Sequence, residues 1–342
     1  MPPALDSSPR SHVPDVQAGL PATRISLTRV GVTKVEKVIR VQGNLYFAGL
    51  ECFVDLRPDQ AGAHMSRFEE VVNEAIDAVV AHESLRAEEL AAGIAEQVRQ
   101  RQAGLRAEVT IEARYPETVP TPQTANSTQE IYVLFGTAVA SELGTRTVTG
   151  VQAQGMTACP CAQELVGARA RDRLAAAGYD PDQIDEIISC VPVATHNQRG
   201  IGTLHVGCPE NAETTIEARD LLRIVESSMS SEIYELMKRA DERSVVEKAH
   251  ANPRFVEDCV REMIRQVAEG YPELAANGGF VMARQENLET IHRHNVVAER
   301  SGDLAEIVRE LATAEHSRHH RSIREWLTAP DESGRAADQS AK

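Results

Sequence analysis

Aromatic residues make up only 4% of the 342-residue chain, with a single tryptophan. A core built from this sequence therefore rests on Ala, Val, Leu and Ile. Positive charge is also scarce: 36 Lys+Arg stand against 51 Asp+Glu, a formal net charge of −15. That balance argues against a nucleic-acid binder, which needs a basic footprint to neutralise phosphates. Long apolar runs are absent. The longest, Ile131 to Ala140, is about half of the ~20 residues that span a bilayer, and its β-branched content suits a buried strand. The opening MPPALDSSPRSHVPD contains no apolar h-region, so no secretory signal is expected. Six cysteines in a long chain of this kind read as reduced thiols in a cytoplasmic protein, not as a disulfide framework. No phosphate-binding G-x-x-x-x-G-K and no convincing G-x-G-x-x-G is present.

What is present is a composition of 42% hydrophobic and 25% charged residues, which suits a soluble globular protein. Residues 1–22 are rich in Pro and Ser and read as an arm. Strands are expected around 24–57, broken by a Gly43-Asn44 turn. Met65, Phe68, Val72, Ile76 and Val79 follow helical spacing, and Leu90, Ile94 and Val98 continue it on a second helix. Alternation returns at Val109, Ile111 and Ala113, then come a proline-bearing linker over 116–127 and strands at 130–140 and 146–154. The second half reads as a helix at 163–177, strands at 184–193 and 201–208, and long helices at 216–239 and 253–268. Strands at 278–286 and 290–298, a charged helix over 303–327 and a polar tail complete it. Strand–strand–helix–helix–strand–strand, twice over, predicts an α+β fold with antiparallel sheets and helices on one face.

Polar and reactive side chains cluster in a few places. Cys159-Pro160-Cys161 lies between an expected strand and an expected helix. A thiol at a helix N-terminus favours the thiolate that metals and electrophiles need, although two small buried hydrophobes would read the same way. The block Thr195-His196-Asn197-Gln198-Arg199-Gly200 is polar between apolar strands. There His196 is a candidate metal ligand or partner of a nucleophilic thiol. Glu232 follows a serine-rich run inside an expected helix, an unusual place for residues that compete for backbone hydrogen bonds. Glu289 and His292 form a candidate acid–base dyad, but strand alternation sets them on opposite faces unless the strand ends there. His316, His319 and His320 read as the solvated face of a charged helix.

Taken together, Gly62-Ala63-His64-Met65-Ser66-Arg67-Phe68, Cys159-Pro160-Cys161, His196-Asn197-Gln198-Arg199, Ser231-Glu232-Ile233-Tyr234-Glu235-Leu236, Asn252-Pro253-Arg254-Phe255-Val256-Glu257-Asp258 and Glu289-Thr290-Ile291-His292 resemble the type IB GTP cyclohydrolases. That family has a bacterial and an archaeal, methanopterin-pathway branch, and the long segment between Cys161 and His196 resembles the archaeal spacing. The resemblance spans residues 25–300 and implies a tandem tunnelling fold (T-fold) in a homotetramer with active sites between subunits. On it, the halves are 23–157 and 158–300, followed by a helix over 301–329 and a tail over 330–342. It implies one divalent metal per subunit, Fe²⁺, Zn²⁺ or Mn²⁺, held by Cys159, His196 and Glu232. It further implies that Glu247 anchors guanine, that Glu289 and His292 stand near the reacting atoms, and that His64 and Arg67 contact polar or phosphate groups of GTP across the interface between subunits. The implied products are formate and either 7,8-dihydroneopterin triphosphate or its 2′,3′-cyclic phosphate relative. Two alternatives remain open at this stage. One is an NADPH-dependent nitrile reductase with Cys159 as nucleophile, and the other is a non-catalytic purine- or pterin-binding module.

Overall fold

A computed structural model describes residues 17, 19–41, 44–79, 86–210, 212, 214–315 and 317–329. Most of the arm expected over 1–22, the whole tail expected over 330–342, Gly43 of the expected turn and His316 lie outside them. The first half runs β1 (Leu27–Val41), β2 (Asn44–Leu56), α1 (Met65–Val79), α2 (Ala87–Gln102), β3 (Ala107–Pro120), β4 (Ser127–Ser141) and β5 (Gly144–Ala158). Then follow α3 (Pro160–Ala176), α4 (Pro181–Cys190), β6 (Asn197–Cys208), α5 (Ala218–Ser227) and the two-residue β7 (Ser231–Glu232). The chain continues with α6 (Arg239–Ala251), α7 (Val256–Gly270), α8 (Pro272–Ala276), β8 (Phe280–Leu288), β9 (Val296–Asp303), α9 (Leu304–Thr313) and α10 (Ile323–Thr328).

Among the described residues, all strands belong to one antiparallel nine-stranded sheet in the order β1-β2-β3-β4-β5-β6-β8-β9, with β7 paired to β5. This corrects the expectation of a tandem tunnelling fold. β5 pairs with β4 on one edge and with β6 from Thr147↔Cys208 to Ala158↔Asn197 on the other, so one sheet passes without a break through the expected boundary at 157–158. The second half also fails to repeat the element order of the first, because single helices and a two-residue strand interrupt it. The antiparallel α+β reading stands, but in a single sheet and not with every helix on one face, since α10 packs opposite α1, α2, α5 and α7.

Side-chain alternation divides the sheet into two faces. On one face, α1, α2, α5 and α7 bury Phe68, Ile94, Leu221 and Met263 against Leu50, Ile111, Leu134, Leu204 and Val281. On the other, α10 sets Trp326 against Phe280, with ring centroids 5.5 Å apart, and closes a small cluster with Val139, Val148 and Leu327. The core is aliphatic, as the aromatic content requires.

Several elements differ from the sequence expectation, the following for local reasons. The segment expected as a strand at 184–193 is α4. Asp180 caps Gln183 N–H, the Gln183 side chain answers to the Asp180 backbone, Pro181 sits in the first turn, and Ile184 is buried. The long helix expected over 216–239 ends at Ser227. Ser228 donates to the carbonyl of Ile224, and Ser230 Oγ accepts from Ala158 N–H at 3.0 Å, so the serines turn the chain onto β5. Gly155 makes room there, because a Cβ at that position would lie 2.6 Å from the Met229 methyl and 3.0 Å from the Ser231 carbonyl. The charged helix expected over 303–327 divides at Ala314, where φ is +58°, into α9 and α10. Among the described residues, no helix is long and apolar enough to cross a membrane.

Candidate functional site

The sheet has two ends. At one, Pro120, Ser127, Ala158, Asn197 and Leu288 stand roughly level; at the other stand Leu56, Ala107, Ala140, Gly144 and Cys208. Cys159 follows β5 at the first end and is the N-cap of α3, its Sγ accepting from Ala162 N–H at 3.5 Å. His196 precedes β6 beside it. The Cys159 N–H donates to the His196 carbonyl at 3.1 Å, and the Thr195 hydroxyl donates to the Cys159 carbonyl at 2.6 Å. Cys161 is exposed two residues further along.

The His196 ring is held from behind. Its Nδ1 lies 3.0 Å from Gln198 Oε1 and 3.8 Å from Glu289 Oε2. Glu289 reaches it because β8 pairs with β6 up to Arg199↔Leu288, which brings the next residue of β8 level with Gln198. Only 6% of the Glu289 side chain is exposed, and its Oε2 has no hydrogen-bond partner among the described residues.

The expected strand over 290–298 is corrected here. β8 ends at Leu288 and β9 starts at Val296, so Glu289 to Asn295 form the connection. His292 is exposed in it and stacks on His294, with centroids 5.2 Å apart and planes 12° apart. The carboxylate that was expected to steer His292 instead faces His196.

Glu232 is on β7, paired to Gly155 of β5, and its carboxylate is bonded by the Lys248 ammonium. Glu247 is exposed one residue before that lysine on α6, 3.9 Å from Arg243. His250, three residues further on the same helix, has Nε2 3.1 Å from the Asn197 amide nitrogen. Gln163 of α3 donates to the His250 carbonyl at 2.7 Å and to the Val193 carbonyl at 3.0 Å. Arg254 N–H bonds the Ala158 carbonyl, and its guanidinium bonds the Ser228 carbonyl, tying the start of α7 beneath the same point. Lys248 and His250 were not anticipated from sequence. Their only signal is that they share a helix with Glu247.

Helix α6 is itself fixed at its start by Asp241, which is fully buried. Asp241 accepts from Gln123 N–H, Thr124 N–H, the Thr124 hydroxyl and Lys238 N–H at 2.7–3.0 Å. Burial alone would raise its pKa, but these bonds outweigh burial and hold the carboxyl far below the usual carboxylate range. A depressed folded pKa contributes stability that is fully present above about pH 4 and is lost as pH falls toward the folded value. The melting-temperature gap between wild type and Asp241→Asn is therefore expected to be wide at neutral pH and to close on acidification. A gap that does not change with pH would show that Asp241 carries no such linkage.

Negative charge accumulates behind Glu232. Glu226 is pushed up to about 7, first by burial and then by Glu232, Glu117 and Glu130, against the Tyr132 hydroxyl that bonds it at 2.7 Å.

His64 and Arg67 are not brought to Cys159. The His64 backbone exchanges hydrogen bonds with the Gln102 side chain, and Arg67 donates to the Arg101 carbonyl, at the end of the sheet where β2 finishes and β3 begins. From there to Cys159 is the length of β5, roughly 45 Å of strand. Within one chain they cannot share a substrate with Cys159. The residue pattern alone does not show this separation, because both ends of a strand look alike in it; the resemblance allowed for it by setting these two residues across an interface.

The donor types at the Cys159 end, a thiol, an imidazole and a carboxylate, fit Zn²⁺ or Fe²⁺. Among the described residues, however, no three of His, Cys, Asp and Glu stand close enough together to close around an ion. Cys159 and His196 are neighbours, while the Glu232 carboxylate is engaged by Lys248.

Comparison with known proteins adds three findings. Residues 13–298 match the family described as type I GTP cyclohydrolase folE2. The chain is 41% identical to GTP cyclohydrolase MptA of Methanococcus aeolicus over 308 residues, covering 87% of this chain and 99% of that protein. It is 37% identical to GTP cyclohydrolase MptA of Methanosarcina mazei over 314 residues, 88% of this chain and 98% of that protein. Among solved structures, a uricase from Arthrobacter globiformis matches with a TM-score of 0.48 at 10% identity, over 87% of this chain and 97% of that one. That likeness is too slight to bear on activity.

Proposed function

The chain belongs to the type I GTP cyclohydrolase folE2 family, and we propose that it performs the family reaction at the Cys159 end of the sheet, as a metal-dependent enzyme of the type IB group. GTP is the substrate, and pterin biosynthesis is the process served. The observation that carries the placement is the meeting of Cys159, His196 and Glu289: one backbone hydrogen bond joins the first two, and a buried carboxylate backs the imidazole of the second.

A divalent ion, Fe²⁺, Zn²⁺ or Mn²⁺, would be held by Cys159, His196 and Glu232, and would supply Lewis acidity and a water of lowered pKa. The chain's own residues do the rest. Glu247 accepts the two guanine N–H groups on the edge opposite C8 and so points C8 away from itself, a charge-assisted pairing with directional force. Glu289 and Gln198 keep the His196 ring from turning. His292, on the exposed β8–β9 connection, can reach substrate without displacing any core residue, and it exchanges protons as the imidazole opens, formate leaves and the pterin ring closes. Lys248 lies beside Glu232 and Glu247 and can offset charge on the triphosphate in an acidic chain.

His64 and Arg67 take part only if a second copy presents its opposite sheet end to this site. A homotetramer with sites between subunits satisfies that requirement. Cytoplasmic residence accords with the cysteine usage.

The test is anaerobic incubation of metal-depleted protein with GTP plus Fe²⁺, Mn²⁺ or Zn²⁺, followed by mass spectrometry. Formate with a dihydroneopterin is the expected result, and the product mass separates the triphosphate from the 2′,3′-cyclic phosphate. GTP recovered intact with every metal would overturn the proposal.

A further inference from the structure

The tautomer of His196 is decided by residues that bind nothing themselves. Gln198 Oε1 lies 3.0 Å from His196 Nδ1, and the same amide donates through Nε2 to Thr157 Oγ1 at 3.1 Å. Gln198 is 6% exposed and Thr157 is fully buried, on paired positions of β6 and β5. An amide oxygen only accepts, so in this orientation Nδ1 carries the ring proton and Nε2 keeps its lone pair. The reverse amide orientation would require the Nδ1 lone pair to face Glu289 Oε2, 3.8 Å away and buried without a hydrogen-bond partner among the described residues. A lone pair against an anion in a dry site is repulsive, whereas an N–H against it is attractive.

We infer that Gln198 is a positioning residue for His196, and that Thr157 fixes the Gln198 amide so that the imidazole presents Nε2 as a ligand. This rests on the metal reading above. A metal-bound histidine needs its second nitrogen held, because that bond sets both ring orientation and basicity, and its loss typically costs about 10- to 100-fold in metal affinity.

The experiment measures Zn²⁺ affinity by chelator competition on metal-depleted full-length protein, with a melting temperature for each variant. Gln198→Leu and Thr157→Val are each expected to weaken Zn²⁺ binding by about 10- to 100-fold. Thr157→Ser keeps the hydroxyl and should bind like wild type. Gln152→Leu is the control. It removes an amide–hydroxyl bond of the same kind to Thr203, at 3.0 Å between the same two strands, and should leave affinity unchanged. If Gln198→Leu does not fold, the near-isosteric Thr157→Val decides. Wild-type affinity in Gln198→Leu or Thr157→Val overturns the inference alone. So does an equal loss in Gln152→Leu, which would mean general loosening of the sheet. Failure of wild-type protein to bind Zn²⁺ at all overturns the metal reading and the inference together.

Discussion

Cys159→Ala is expected to lower formate release from GTP by about three orders of magnitude while leaving the fold intact. On the proposed metal reading, losing one ligand of a catalytic metal removes several kcal/mol of transition-state stabilisation, and about 1.4 kcal/mol corresponds to each tenfold in rate. The structural cost is far smaller. Cys159 caps α3, and that helix buries only Gly167 of its own residues. Its sulfur makes one weak bond, to Ala162 N–H at 3.5 Å, and losing such a cap costs about 1 kcal/mol. Turnover and metal content should therefore collapse together at a nearly unchanged melting temperature. Near-native turnover in the variant would remove Cys159 from the chemistry. Lost turnover with full metal content would give the thiol a role other than ligation.

Glu247→Gln is expected to reduce kcat/KM for GTP by about 100-fold, the scale set by losing one or two hydrogen bonds to a charged acceptor at about 1.5–3 kcal/mol each. The side chain is exposed and, among the described residues, its only ion pair is a long one along the helix, so the fold has little stake in it. The more telling measurement compares GTP with inosine triphosphate, which lacks the exocyclic amine. Wild type should strongly prefer GTP, because on the proposed role a Glu247 carboxylate facing a missing donor loses one of its two bonds. In Glu247→Gln that preference should shrink, since a neutral amide no longer demands two donors. An unchanged preference would show that guanine is recognised elsewhere, and α6 would then be a scaffold for Lys248 and His250 only.

The assembly of α6 illustrates how far the reading of residues carries. That Glu247 belongs with the site was implied by resemblance, yet α6 as a separate helix was missed, because its surroundings from 216 to 239 read as one long amphipathic helix. Serine hydroxyls that bond Ile224 and Ala158 end α5 and begin β7, and Asp241 gathers three donors from the distant Gln123 and Thr124 and a fourth from nearby Lys238 to restart the chain as a helix. The serine run was visible as unusual; the partners that make it a break were not.

Much else was open to inspection of the chain. Charge balance and the shortage of aromatics set the kind of surface and the kind of core. The period of Met65, Phe68, Val72 and Ile76 marks α1, and alternation at Val109, Ile111 and Ala113 marks β3, because those signals depend on residues within a turn or two of one another. The reactive residue types, Cys159, His196, Glu232, Glu247, Glu289 and His292, were all identifiable for the same reason: chemistry resides in side-chain identity. Partnership does not. That Glu289 faces His196 follows from the pairing of β8 with β6 and from where that pairing stops. That His64 and Arg67 stand a full strand length from Cys159 follows from the direction in which β2 runs through one continuous sheet. Register, strand direction and sheet continuity come from packing between segments far apart in the chain, and no local pattern encodes which end of a strand will meet which.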